Sequence, residues 1–183
     1  MKKWIACILV VVLSFSLFGC VSKMTAVENF LLATVKMDPD AMQAEMVPDE
    51  SAGSVYMKLQ NADLSDEALT ALRGLYALVQ YKVGEISSEG TGEKYVSVTV
   101  KVPDMERIRS LAAAQILVSG NSADEVIGEM LEDGSISQNM MKEYSVSVKM
   151  TETDGEWKIP YGDKANAEFA KILSLAEMID FLN

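Results

Sequence analysis

The residues of this chain that could do chemistry are carboxylates, methionines, tyrosines and two cysteines, for it has no histidine. That lack removes the Ser-His-Asp and Cys-His arrangements of nucleophilic catalysis. Zinc sites built on histidine or paired cysteines, and CxxC redox chemistry, also lack their residues. Acidic groups gather at Asp38 and Asp40, at Asp63, Asp66 and Glu67, and at Glu152, Asp154 and Glu156. Glu152-Thr153-Asp154-Gly155-Glu156 alternates acids around a glycine as calcium loops do, without their twelve-residue frame or closing bidentate glutamate. It reads as a hairpin turn with solvated flanks, and Asp38 and Ser65 read as helix caps. Among the 12 methionines, Met42 and Met46 share a helix face and Met140 adjoins Met141. Thioether pairs can hold copper(I), but filling a core is the simpler use of them. An acid beside Tyr76, Tyr81 or Tyr144 could work as a cavity acid, though no spacing singles one out. No catalytic, cofactor-binding or metal-ligating residue is assigned, and no cofactor is expected.

Cys20 stands apart because of what precedes it. Lys2 and Lys3 are followed by an uncharged, mostly apolar run from Trp4 to Gly19. The run is about 16 residues, short of the roughly 20 that span a bilayer, and has the form of a secretory signal. Its end, Leu17-Phe18-Gly19-Cys20, resembles the lipobox of bacterial lipoproteins, in which a dedicated peptidase cuts before a cysteine carrying diacylglycerol. The resemblance implies a signal peptide over residues 1–19, cleavage between Gly19 and Cys20, and lipid attached to Cys20. Residues 20–24 would be a short tether, and the membrane, on its extracytoplasmic side, would be the first partner.

Cleavage there leaves 164 of the 183 residues, enough for one domain over residues 25–183. All 27 acids remain while Lys2 and Lys3 leave the set of 16 bases, so the net charge goes from −11 to −13. So acidic a chain is a poor nucleic-acid partner and is repelled by anionic headgroups. Acyl chains must therefore supply the anchoring. Cys7 departs with the signal and Cys20 is taken by lipid, which leaves the domain no free thiol.

The elements follow in order. Thr25-Ala26-Val27-Glu28 has the capping-box form and opens a helix carrying Val27, Phe30, Leu31, Thr34 and Val35. Asp38 caps a short second helix with Pro39 in its first turn. Ser51 to Gln60 reads as a loop or short extended piece. A helix opened by Ser65 should bury Leu69, Leu72, Tyr76 and Val79. A strand from Tyr81 to Ser88 turns at Glu89-Gly90-Thr91-Gly92 into alternating Val96, Val98, Val100 and Val102. Asp104 and Ser122 cap two more helices, the first burying Ile108, Leu111, Ala112 and Ile116 and the second Val126, Ile127, Met130 and Leu131. Tyr144, Val146, Val148 and Met150 alternate again, and Asp154-Gly155 turns the chain back through Trp157 and Ile159. Trp157 should anchor the core, with Lys149 on a solvated face. One last helix, about Lys164 to Leu182, should pack through Phe169, Ile172, Leu173 and Ile179. The fold class is α+β, a curved antiparallel sheet of two hairpins packed against N-terminal helices. A helical insertion lies between the hairpins and a helix closes the chain.

Val27-Glu28-Asn29-Phe30-Leu31, Asp38-Pro39-Asp40, Tyr81-Lys82-Val83 leading to Val96-Ser97-Val98-Thr99-Val100, and Asp154-Gly155-Glu156-Trp157-Lys158-Ile159 together resemble one family. It comprises small bacterial lipoproteins with a nuclear-transport-factor-2-like (cystatin-like) domain. The resemblance implies a curved sheet wrapping helices, often around a cavity, and carries over no catalytic residue. The expected function is non-catalytic binding of a small-molecule ligand or an envelope protein. The competing readings are an interaction module without a pocket, and a cavity-acid isomerase or hydrolase.

Overall fold

The structure, a computed structural model, describes residues 25–48, 64–88, 92–173 and 176–182. The leader with Gly19 and Cys20, the tether, Ser51 to Gln60, Asp63 and most of the Glu89 to Gly92 turn lie outside the described residues.

Among the described residues three helices come first: α1 (Thr25–Lys36), α2 (Pro39–Ala44) and α3 (Asp66–Ala77). Asp38 accepts the Ala41 amide and Ser65 the Ala68 amide, so both act as the caps their positions predict. Strands β1 (Gln80–Ser88) and β2 (Glu93–Pro103) form the first hairpin. Helices α4 (Met105–Ser119) and α5 (Ala123–Glu132) intervene before β3 (Met141–Thr153) and β4 (Glu156–Lys158). The sheet is antiparallel in the order β1-β2-β3-β4, so the two hairpins join along β2 and β3. The fold is α+β.

The period-two pattern sets which face is dry. Val96 pairs with Val148 and Val98 with Val146, and Val96, Val98, Val100, Val148 and Met150 are all buried. Helices α1, α3, α4 and α5 cover that face with Phe30, Leu72, Leu75, Ile108, Ile127 and Met130, none more than 1% exposed. The opposite face carries Ser97, Lys101, Glu143, Ser145 and Ser147, all exposed, and a Lys101–Glu143 ion pair at 3.1 Å. A β-bulge sets Gly84 and Glu85 against Ser97. A Cβ on Gly84 would run into the Ser97 hydroxyl, which explains a glycine in a strand interior. Asp154 and Gly155 turn β3 into β4 at φ of 54° and 82°, as a two-residue hairpin requires.

Several expectations change. The last helix is two pieces, α6 (Ala167–Ile172) and α7 (Ala176–Leu182), preceded by a 3-10 turn over Lys164–Asn166. Phe169 in the first piece packs on Phe30 and Tyr161, with ring centroids 5.7 and 6.3 Å away, and the Leu173 carbonyl at its end accepts the Tyr76 hydroxyl at 3.2 Å. On α4 only Ile108 and Ala112 are buried, because the helix lies at the margin of the layer; Leu111 is 40% exposed and Leu117 87%. Leu69 and Leu131 are half-buried rather than core. Trp157 is half-buried at the end of the sheet with the Lys94 ammonium 4.3 Å above its ring, and Ile159 is the residue of that segment that enters the core. Lys149 does lie on the face opposite Val148, but the 3-10 turn after Pro160 covers it, and its side chain is 14% exposed between Glu93 and Asp163.

One contact had no signal in the sequence. Ile159 forms a parallel bridge with Met46, its amide donating to the Glu45 carbonyl and its carbonyl accepting from the Val47 amide, both at 2.9 Å. The residues after α2 thereby extend the sheet beyond the end of β4.

Candidate functional site

The residues weighed for chemistry end up apart, and most have structural work. Met42 and Met46 are both buried in the core, as is Met140. Among the described residues no group of histidine, cysteine and acid side chains is placed to hold a metal. Glu152 and Asp154 lie exposed at the β3–β4 turn, and Glu156 is paired with Lys158 at 2.7 Å, which holds its carboxyl below the usual range. Tyr76 is buried, and burial with the nearby Tyr161 ring pushes its hydroxyl well up.

Side chains of the helices pack on the inner face of the sheet, and two clefts lie at the margins. The first, of about 620 Å³, opens where β2 runs into α4, beside β3 and under α6. Val102, Met105, Tyr144 and Ile172 give it apolar walls, and Asp104, Glu106, Lys142, Glu168 and Lys171 line it with charge. Asp104 is the hinge of this site. It caps α4 by accepting the Arg107 amide, donates its own amide to the Met140 carbonyl at 2.7 Å, and pairs with Lys142 at 3.0 Å. Partial burial pushes its carboxyl up, but the bonds from Lys142 and the Arg107 amide, with their charges, outweigh this and hold it low. Lys142 is raised in return, first by its bond to Asp104. The arrangement offers anchored charges and an apolar wall for a ligand.

The second cleft, of about 600 Å³, runs between α3 and α5 over Ala71, Gly74, Gly128 and Leu131. Its rim carries Asp66, Glu67, Asp124, Glu125, Glu129 and Glu132 and, among the described residues, no basic side chain. Four of these acids sit in the first turns of α3 and α5, where negative charge complements the helix dipole. Asp124 also takes bonds from Ser122 and Ser65, which keep its carboxyl low.

Sequence reasoning flagged Tyr144, Asp66 and Glu67 but not Asp104 or Lys142 as site residues. The cap pattern at Asp104 was visible; its union with Lys142 depends on register, since Val102 pairs with Lys142 across the sheet. Lys171 and Ile172 reach the cleft because α6 packs against β3, a contact between segments far apart in the chain.

No protein-family model matches the sequence, and no curated protein matches it. Among solved structures, ycdA, a candidate lipoprotein of Bacillus subtilis subsp. subtilis str. 168, superposes at 18% identity with a TM-score of 0.44. The match covers 82% of this chain and 56% of that one, so this chain spans little more than half the length of its neighbour. A superposition that loose carries no argument about role. Among the described residues no helix is long and apolar enough to cross a membrane.

Proposed function

We propose that this chain is an extracytoplasmic lipoprotein, held to the membrane by lipid on Cys20, whose domain binds a ligand or an envelope protein without catalysis. The anchoring half is carried by Leu17-Phe18-Gly19-Cys20 after a basic start and an apolar run. The four residues between Cys20 and Thr25 reach about 14 Å at most, so lipid there would hold the domain near the bilayer. Cys20→Ser is expected to leave the protein unprocessed or to release it from membranes. A cleaved Cys20→Ser protein that still sediments with membranes would sink this half.

The binding half rests on the cleft beside β3, whose mixed apolar and charged lining is the kind that small ligands and peptides use. The nuclear-transport-factor-2-like reading of the domain belongs to this proposal through its sequence motifs alone. Native mass spectrometry of the full chain in detergent tests binding directly: a retained mass that Ala170→Trp, filling the cleft, abolishes is the expected result. Retention unaltered by that substitution would place binding elsewhere.

A further inference from the structure

Along the edge of β3 beside the cleft, several backbone groups have no hydrogen-bond partner among the described residues. In an antiparallel sheet successive residues of a strand turn their N–H and C=O alternately to the two sides. The Met140 carbonyl bonds toward β2, whereas the Lys149 amide and carbonyl turn the other way, to Asn166. The register with β2 runs unbroken between them, so Glu143, Ser145 and Ser147 point the same way as Lys149. Strand β4 pairs only with Thr151, Glu152 and Thr153. Among the described residues none bonds to the outward N–H and C=O of Glu143, Ser145 and Ser147.

We propose that this edge, from Met141 to Ser147, takes an extended, basic segment of a partner protein, which adds to the sheet as a strand with an apolar side chain in the adjoining cleft. The inference rests on the reading of that cleft as the binding site. A row of alternating donors and acceptors is matched by extended backbone and by little else. Asn166 demonstrates the fit, since its side-chain amide fills the next rung at Lys149 by donating and accepting as a strand residue would. Lys142 and Tyr144, which alternate with the outward-bonding residues, line the cleft, so side chains of an added strand on the same face would enter it. Charge chooses the partner. The cleft itself is mixed, with Lys142 and Lys171 beside Asp104, Glu106 and Glu168, but the chain as a whole carries −11, so lysine or arginine beside the apolar residue is favoured. A second copy of this chain fits worse. It brings the same negative charge, and a twofold axis at Ser145 would engage only Glu143, Ser145 and Ser147 before Asn166 blocks Lys149.

The test uses the full chain in detergent and a synthetic peptide of alternating valine and lysine. A second peptide is N-methylated at every other residue to remove the donors facing β3, and a third carries glutamate for lysine. The first should bind, and methylation or the glutamate exchange should each weaken binding at least about tenfold. Ser145→Pro should weaken it similarly at an unchanged thermal midpoint, because the Ser145 amide faces away from β2. Should that variant fail to fold, the methylated peptide makes the same test on the unaltered chain. Equal binding of methylated and unmethylated peptides overturns strand addition while leaving the cleft as a site. Binding untouched by Ala170→Trp overturns the cleft as well, and no binding of the lysine peptide overturns the proposal. A dimer in sedimentation that Ser145→Pro dissolves overturns it in favour of pairing between copies.

Discussion

Asn166 grips the backbone of Lys149 from the side: its Oδ1 accepts the Lys149 amide at 2.7 Å, and its Nδ2 donates to the Lys149 carbonyl at 3.0 Å. The same Nδ2 also donates to the Pro160 carbonyl at 3.1 Å, so one fully buried amide closes the gap where the chain leaves β4. Removing it strands buried backbone groups, a loss of about 1–3 kcal/mol. Asn166→Ala should therefore lower the urea midpoint at an unchanged slope and speed exchange of the Lys149 amide. An unchanged midpoint would mean that water replaces the amide without loss.

Acid should unfold the protein through a small set of carboxylates. Asp104, Asp124 and Asp163 are all held below the ordinary value of 3.8, Asp163 first by the Ala165 amide and then by Lys149. A depressed folded pKa stabilises fully above the unfolded value and is lost as pH falls through the folded one. Lys149, raised first by Glu93 and then by Asp163, contributes below its ordinary 10.5 and loses that only as pH rises beyond it. With no histidine in the chain, the urea midpoint should stay nearly level between about pH 5 and 9 and drop below about pH 4. Asp163→Asn should flatten the acid limb. A midpoint that moves more across the neutral range than across the acid one contradicts this assignment.

Ile159 should matter more than its larger neighbour. It is 0% exposed, and Ile159→Ala should cost about 2–5 kcal/mol. Trp157→Ala removes a half-buried ring and its contact with Lys94, a contact of about 0.5–1 kcal/mol at such a site, and should cost clearly less. Chemical denaturation of the two variants ranks them, and the reverse order would return Trp157 to the core.

Two glycines should respond differently to alanine. At Gly84 the new Cβ meets the Ser97 hydroxyl and lies 3.3 Å from the Ser97 carbonyl, which belongs to the paired strand and cannot retreat. Gly84→Ala should cost about 1–3 kcal/mol. At Gly74 the obstacle is the Leu131 Cδ1 at 2.7 Å, the end of a half-buried side chain that can turn aside, and alanine favours the helix by up to about 1 kcal/mol. Gly74→Ala should be near neutral. Thermal midpoints decide, and equal losses would mean that Leu131 is locked.

Local rules were enough for most of the elements. Asp38, Ser65, Asp104 and Ser122 act within a few residues of themselves, so each helix start could be read from its own cap. Alternating valines in β2 and β3 named the buried face, because a strand's side chains change sides at every residue whatever it pairs with. Asp154-Gly155 likewise carries its turn in its own backbone preference.

What no local pattern held was the neighbour of each surface. Trp157 and Ile159 share the apolar character of a core strand, and only the end of the sheet at Trp157 and the Met46 bridge at Ile159 separate an edge from an interior. Lys149 alternates with buried residues as an exposed lysine should, until the turn after Pro160 folds over it. The cleft beside β3 joins Asp104 to Lys142 through strand register and to Ile172 through the packing of α6 on β3, both long-range outcomes. Propensity and period act over a few bonds, so the sequence by itself determined the elements and their wet and dry faces; burial and pairing act between residues far apart in the chain, so tertiary structure alone decided which edges stayed open.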